Sequence, residues 1–230
     1  MIAKTFVEWF ANGRLPGLGS STLKALRDLQ AGAHWALAGA RGEFAAGAGA
    51  AMRIAPLAFV LDPSVDDDRV MIRDVARITH HSDEAYAGAL AVVVAIRATA
   101  TGGHVPEDLL SIVSSALPDT RVRDRLMEVS SRAETPESVA VRHGSSGHVV
   151  DVVPLALLVA AHERSNELEP VVRRAVSLGG DTDTIAAIAG QVAGASGREL
   201  PRHLMSRILR IADVESVIDA FVARAVPAAI

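Results

Sequence analysis

The chain contains no cysteine, which excludes disulfides and thiolate-bound metals. Aromatic residues are scarce, at 3%, although half of all residues are hydrophobic. The apolar content is therefore mostly alanine, valine, leucine and isoleucine, which suits closely packed helices. A basic excess is also missing: 23 Lys and Arg stand against 27 Asp and Glu. With no run of lysines either, nothing argues for a nucleic-acid partner or a membrane surface. The opening "MIAKTFVEWFANG" lacks the long apolar region of a secretory signal. The longest apolar runs, such as "VVPLALLVAA", fall short of a bilayer-spanning helix. Neither a Gly-x-Ser-x-Gly elbow nor a Walker loop is present, so hydrolase-fold esterase and NTPase readings have no support. These absences lead to the expectation of a cytoplasmic protein.

What is present reads as helix after helix. No alternation of apolar and polar residues runs long enough for a strand. Glu84 to Ala98 is apolar around much of its circumference, as a central helix would be. Thr135 to His143 opens on a threonine with Ser138 three residues later, and Val149 to Glu163 predicts a helix that starts near Pro154. "ELEPVVRRAVSLGG" stops on paired glycines. "LPRHLMSRILRIADVESVIDAFVARAV" reads as amphipathic helix broken near Asp213. One all-α domain over residues 1–230 is the expectation.

One stretch stands apart in this apolar chain. "GGDTDTIAAIAG", Gly179 to Gly190, puts Asp181, Thr182, Asp183 and Thr184 in a row with no lysine or arginine beside them. The glycines end one helix, and helical character resumes at Thr184. Ala187, Gly190 and Gly194 then form a small-residue stripe that would let another helix come close. Two readings of the tetrad stay open. It could cap the helix, since Asp and Thr accept hydrogen bonds from free N–H groups. It could instead bind a hard divalent cation, which would relieve repulsion between two carboxylates.

The same stretch resembles the C-terminal signature of the ADP-ribosylglycohydrolase family. Four further segments resemble that family in order: "GLGSSTLKALRDLQAG" (17–32), "AAGAGAAMRIAPLAF" (45–59), "ITHHSDEAYAGAL" (78–90) and "GSSGHVVDVVPLALL" (144–158). Five segments in order are specific. The resemblance implies an all-α bundle with a binuclear magnesium centre. It implies that Asp181, Asp183 and Thr184 are metal ligands. It places Gly47, Ala48, Gly49, Thr79, His80 and Gly147 at the substrate. The implied activity is magnesium-assisted hydrolysis of a glycosidic bond, releasing ADP-ribose from a protein side chain or small molecule.

The departures matter as well. Family members usually carry a Gly-Asp-Ala-x-Gly stretch and a Thr-Asp-Asp-Thr cluster before the Trp-containing helix that "FVEWFANG" resembles. Those segments would supply the other metal ligands and a catalytic acid, and the chain begins after both. Ala48 stands where the family usually has asparagine. Asp66, Asp67 and Asp68 suit a solvated loop or helix start. The alternative function is therefore a family member that binds an ADP-ribosyl ligand or a protein partner without hydrolysis. A start upstream, or a separately encoded N-terminal segment, is the other way to complete the site. The missing helices predict an uncovered apolar face and hence a homodimer or a second chain. Among other residues, Arg53 predicts a salt bridge to a nearby acid ahead of a phosphate contact. Ser145 and Ser146 either bond ligand or turn the chain, and His80–His81 reads as a pair at a helix start.

Overall fold

The computed structural model describes residues 1–225, and its helical content is high. The described residues form α1 (Ile2–Ala11), α2 (Ser20–Gln30), α3 (Gly49–Arg53), α4 (Asp66–Arg77), α5 (Asp83–Gly102), α6 (Leu109–Ala116) and α7 (Arg121–Arg132). These are followed by α8 (Pro136–His143), α9 (Val149–His162), α10 (Glu169–Ser177), α11 (Thr182–Gly194), α12 (Arg202–Met205) and α13 (Ile211–Ala225). Two short strands, β1 (Ala40–Arg41) and β2 (His80–His81), pair in parallel. The all-α expectation holds apart from that small sheet. Val226, the last residue of the predicted C-terminal helix, lies outside the described residues.

The core is built around α5 and α9, which cross and pack on each other. Leu90, Val92, Val93 and Ile96 of α5 and Leu155, Leu157 and Val159 of α9 are buried. Each such side chain contributes roughly 1.5–3 kcal/mol relative to an exposed one. Gly88 makes the crossing close, because a Cβ there would overlap the side chain of Val149. Helix α5 is in fact long and apolar enough to cross a membrane, which the apolar runs in the sequence did not indicate. It is instead the core helix, enclosed by α3, α4, α6, α9 and α11. Glu84, in its first turn, accepts from the N–H groups of Arg121 and Val122, each at 3.0 Å, and so caps α7 from another helix.

Several local expectations are met and others corrected. Thr135 caps α8 by accepting from the Ser138 N–H at 3.3 Å. Helix α9 starts at Val149, five residues before the predicted start at Pro154. His148 Nδ1 accepts from the Val150 N–H at 3.3 Å and supplies the cap the reading overlooked. Pro154 lies in the second turn of the helix, where it leaves the Val150 carbonyl without its usual N–H donor. Asp66, Asp67 and Asp68 form the first turn of α4, and Asp68 accepts from the Asp62 N–H at 2.7 Å. The C-terminal break falls at residues 206–210, where Arg210 has φ +60, rather than at Asp213.

Candidate functional site

The site is assembled from three loops that the core helices hold together. The first follows β1 and leads into α3. It places Gly47 in an antiparallel bridge with His148, and the Ala48 N–H donates to the Gly147 carbonyl at 3.3 Å. The second loop, residues 144–148, precedes α9, whose Val149 N–H donates to the Ala46 carbonyl at 2.9 Å. The third loop precedes α11. There the Asp181 N–H donates to the Ser145 carbonyl at 2.8 Å. Backbone pairing thus runs from Gly47 through Gly147 to Asp181. The predicted residues Gly47, Ala48, Gly49, Gly147, Asp181 and Asp183 fall in one continuous patch.

Glycine is required at two points of this patch. Gly180 has φ +70, and a Cβ on it would overlap Ser145. A Cβ on Gly147 would lie 2.6 Å from Asp181 Oδ2. The third loop closes on the second only because both side chains are missing. At Gly49 the neighbour is His80: a Cβ there would lie 2.9 Å from His80 Cε1 and 3.4 Å from Thr22 Oγ1 of α2. The glycine at 49 therefore accommodates the histidine beneath it. The stripe on α11 has no such role. Nothing lies within 4 Å of a Cβ built on Gly190 or Gly194, so no helix comes close there. The face of α11 that packs on α9 carries Thr184, Ile185, Ile188, Ala189, Val192 and Ala193.

Thr79 and His80 sit in and beside β2, not at a helix start, and both are buried. Parallel pairing of Ala40 with His80 brings them under the first loop. Arg53 Nη2 donates to Thr79 Oγ1 at 2.6 Å, and Thr79 Oγ1 lies 2.7 Å from His80 Nδ1. The guanidinium has no acceptor, so the threonine hydroxyl must donate to Nδ1. His80 is then the neutral tautomer with its proton on Nε2, the nitrogen that faces Gly47 and Gly49. Burial first, then the Arg53 charge, lowers the imidazole to about 3. It is uncharged throughout the neutral range.

Arg53 differs from its predicted role. Its partners are the carbonyls of Gly49, Val75 and Ala76 and the Thr79 hydroxyl, not an acid or an open cleft. The Phe6 ring of α1 lies 5.5 Å from its guanidinium carbon. Burial lowers it to about 10, which leaves it protonated at neutral pH. It fixes the loop and, through Thr79, the tautomer of His80.

The carboxylate pair is the polar end of the patch. Asp181 takes the cap position of α11. The Thr184 N–H acts on the Asp181 carboxyl and lowers it, so the capping reading stands beside the metal reading. Burial, followed by a hydrogen bond to Asp183, raises the Asp181 carboxyl above its ordinary value, and that same bond holds Asp183 below it. The two carboxyls therefore shift one another in opposite directions. Thr184 is buried, and its hydroxyl donates to the Met52 sulfur at 3.5 Å. Among the described residues no group of three or more His, Asp or Glu side chains converges as metal ligands would. Asp181 and Asp183 could supply two oxygen ligands to a divalent cation, with water as the rest of its shell. Asp66, Asp67 and Asp68 belong to a different helix start and do not join them.

Two features escaped the sequence reading. Phe44, three residues before Gly47, is 91% exposed. An aromatic ring left in solvent at the edge of a glycine loop, in a chain with few aromatics, is the signal that could have found it. Ser145 acts through its carbonyl, which no side-chain pattern reveals. Ser146 turns the chain, accepting from the His148 N–H at 3.2 Å and donating to Asp151 Oδ2 at 2.8 Å. Beyond His148 lies a cavity of about 450 Å³ walled by Arg121, Arg125 and Asp151. Its arginines are already neutralised: Arg121 bonds Glu43 at 2.9 Å, and Arg125 lies 3.7 Å from Asp151.

A helical bundle with glycine loops meeting at an Asp-Thr-Asp-Thr helix start defines a recognisable class. The profile of the ADP-ribosylglycohydrolase family matches residues 1–229, and the chain belongs to that family. It is 32% identical over 205 residues to an uncharacterised protein of Archaeoglobus fulgidus, covering 87% of this chain and 65% of that one. It is 29% identical to the ADP-ribosylarginine hydrolase Tri1 of Pseudomonas putida, covering 84% of this chain and 51% of the relative. Human ADP-ribosylhydrolase ARH3 is 31% identical, with 65% of this chain and 49% of the relative aligned. The chain thus spans between 49% and 65% of the length of these relatives. A solved structure, an ADP-ribosylglycohydrolase-related protein complex, superposes with a TM-score of 0.72 and 27% identity. The superposition covers 97% of this chain and 73% of that one.

Proposed function

We propose that the three-loop patch binds an ADP-ribosyl group and supports hydrolysis of its glycosidic bond when a divalent cation occupies Asp181 and Asp183. The observation that carries this reading is the backbone pairing from Gly47 through Gly147 to Asp181, which ends a glycine-lined surface at a pair of interacting carboxyls. Family membership and the printed names of Tri1 and ARH3 support the same reading. The glycines leave backbone open to a sugar or pyrophosphate. The Phe44 ring offers a flat apolar face on which a purine can stack. His80 can donate from Nε2 toward the first loop. Asp181 and Asp183 would hold magnesium, which supplies Lewis acidity and orients water at the anomeric carbon. ADP-ribosylated protein or an ADP-ribose derivative is the substrate class, and a cytoplasmic location accompanies it.

A second reading, binding without turnover, is favoured by one observation: two carboxylates, not three or more, converge among the described residues. Binding and hydrolysis are measured separately to choose between them. Calorimetry of ADP-ribose against the chain in millimolar magnesium should give saturable heat, weakened in Asp183→Ala. Release of ADP-ribose from ADP-ribosylated protein, lost in Asp183→Ala, supports the hydrolase. Binding with no release supports the second reading, and absence of both contradicts each.

A further inference from the structure

Helices α5, α9 and α11 pack on one another. The candidate site lies at the N-terminal ends of α9 and α11. Their C-terminal ends, with that of α5, meet elsewhere. The segments that follow the three helices wall a cavity of about 300 Å³ there, through residues 103–105, 164, 166 and 196–198. That volume is at the small end of ligand pockets. Helix α11 alone puts roughly 20 Å between the cavity and Asp181, so the cavity is separate from the three-loop patch.

The ionisable side chains in its wall are all basic: Arg164, Arg198 and His104, with the Asn166 amide beside them. Helix C-termini carry partial negative charge, and basic groups can simply cap them. Capping accounts for part of this set. His104 Nδ1 lies 2.8 Å from the Gly102 carbonyl, and Arg198 Nη2 donates to the Glu163 carbonyl at 3.0 Å. Arg198 Nη1 is buried and has no acceptor. Burial lowers this guanidinium below its ordinary value; Glu163 opposes the shift and the Arg164 charge adds to it. Arg164 meets Glu107 at 3.6 Å, with both side chains more than half exposed, a contact that water screens. Two guanidinium groups thus stand at one cavity, one of them desolvated and bonded to a carbonyl instead of an acid. A dianion relieves such a pair, and the guanidinium fork matches the oxygens of a phosphate group. We infer that this cavity is a second ligand site, which takes the phosphate group of a small molecule at the C-terminal ends of α5, α9 and α11.

Titration of the full chain without magnesium or ADP-ribose tests this site independently of the hydrolase reading. Amide chemical shifts are followed against inorganic phosphate and, separately, glycerol phosphate, with ionic strength held constant by sodium chloride. Saturating shifts should appear at His104, Asn166, Gly197 and Arg198, while Gly47 and Asp181 stay unmoved. Saturation by both anions supports a site for any phosphate group; saturation by glycerol phosphate alone supports a site for an organic phosphate. Arg164→Gln should weaken the affinity about tenfold with an unchanged circular dichroism melt, because that side chain is more than half exposed. Arg198→Lys keeps the charge but loses the fork, and should weaken it as well. Shifts that do not saturate, saturation at another surface, or an affinity unchanged in both variants would overturn the inference.

Discussion

Glycine acts in opposite ways in the loops of the site and within α11. Gly180 and Gly147 sit where a methyl group would collide, one with Ser145 and the other with Asp181. Gly190 and Gly194 lie within α11 and face open space among the described residues. In sequence Gly180, Gly190 and Gly194 look alike: small residues near an acidic tetrad. The first pair sets how closely the loops approach and therefore where the carboxylates stand. The second pair only lowers the helix propensity of α11. Residue type alone does not separate these roles; the neighbouring atoms do.

Substitution by alanine should separate them by sign. Gly180→Ala should have the largest effect, since it combines a left-handed backbone with an overlap against Ser145. A loss of roughly 3 kcal/mol in chemical denaturation is expected, with ADP-ribose binding abolished. Gly147→Ala should cost about 1–2 kcal/mol as the Asp181 side chain is displaced, and should weaken magnesium and ADP-ribose binding about tenfold or more. Calorimetry of the folded variant would check this, and unchanged affinity would show that Asp181 does not need its present position. Gly190→Ala should do the reverse and stabilise the chain by about 0.5–1 kcal/mol through helix propensity, leaving binding unaltered. Loss of stability there would mean that α11 packs closely after all.

The smallest effect lies away from the glycines. Glu137 of α8 is paired to Arg174 of α10 through two bonds of 2.9 Å, and the guanidinium lowers its carboxyl from 4.5 to about 2. A depressed carboxyl stabilises the fold above its ordinary value, and the contribution is lost as pH falls toward 2. Glu137 is more than half exposed, so screening limits the gain to about 0.5–1 kcal/mol. Denaturation of wild type and Glu137→Gln should differ by that amount at pH 7 and converge near pH 2. A constant difference across pH would assign the effect to packing.

Much of this molecule was legible in sequence because its helices are long and strongly patterned. The central α5, the Thr135 cap and the glycine stop before Asp181 all follow from local rules. The start of α9 did not, because Pro154 drew attention from the cap that His148 provides. His80–His81 form a strand only through pairing with Ala40–Arg41, a partner forty residues away that no local pattern names. Arg53 is satisfied by carbonyls, which carry no side-chain signature. The candidate site residues were found together because five family-like segments appeared in order. What joins them, the chain of backbone bonds through Ser145 and Gly147, is invisible in residue type. The apolar face of α13 was present as amphipathic pattern, but its exposure is a property of the folded chain.

The central claim is that three loops form one ligand surface. Amide chemical-shift mapping of the isotope-labelled chain, titrated with ADP-ribose in millimolar magnesium, tests it most directly. The account predicts perturbations at Gly47, Ala48, Gly147, His148 and Asp181 to Thr184, saturating together at one affinity, with α13 unmoved. Perturbations confined to another surface, or loops that respond with different affinities, would contradict it.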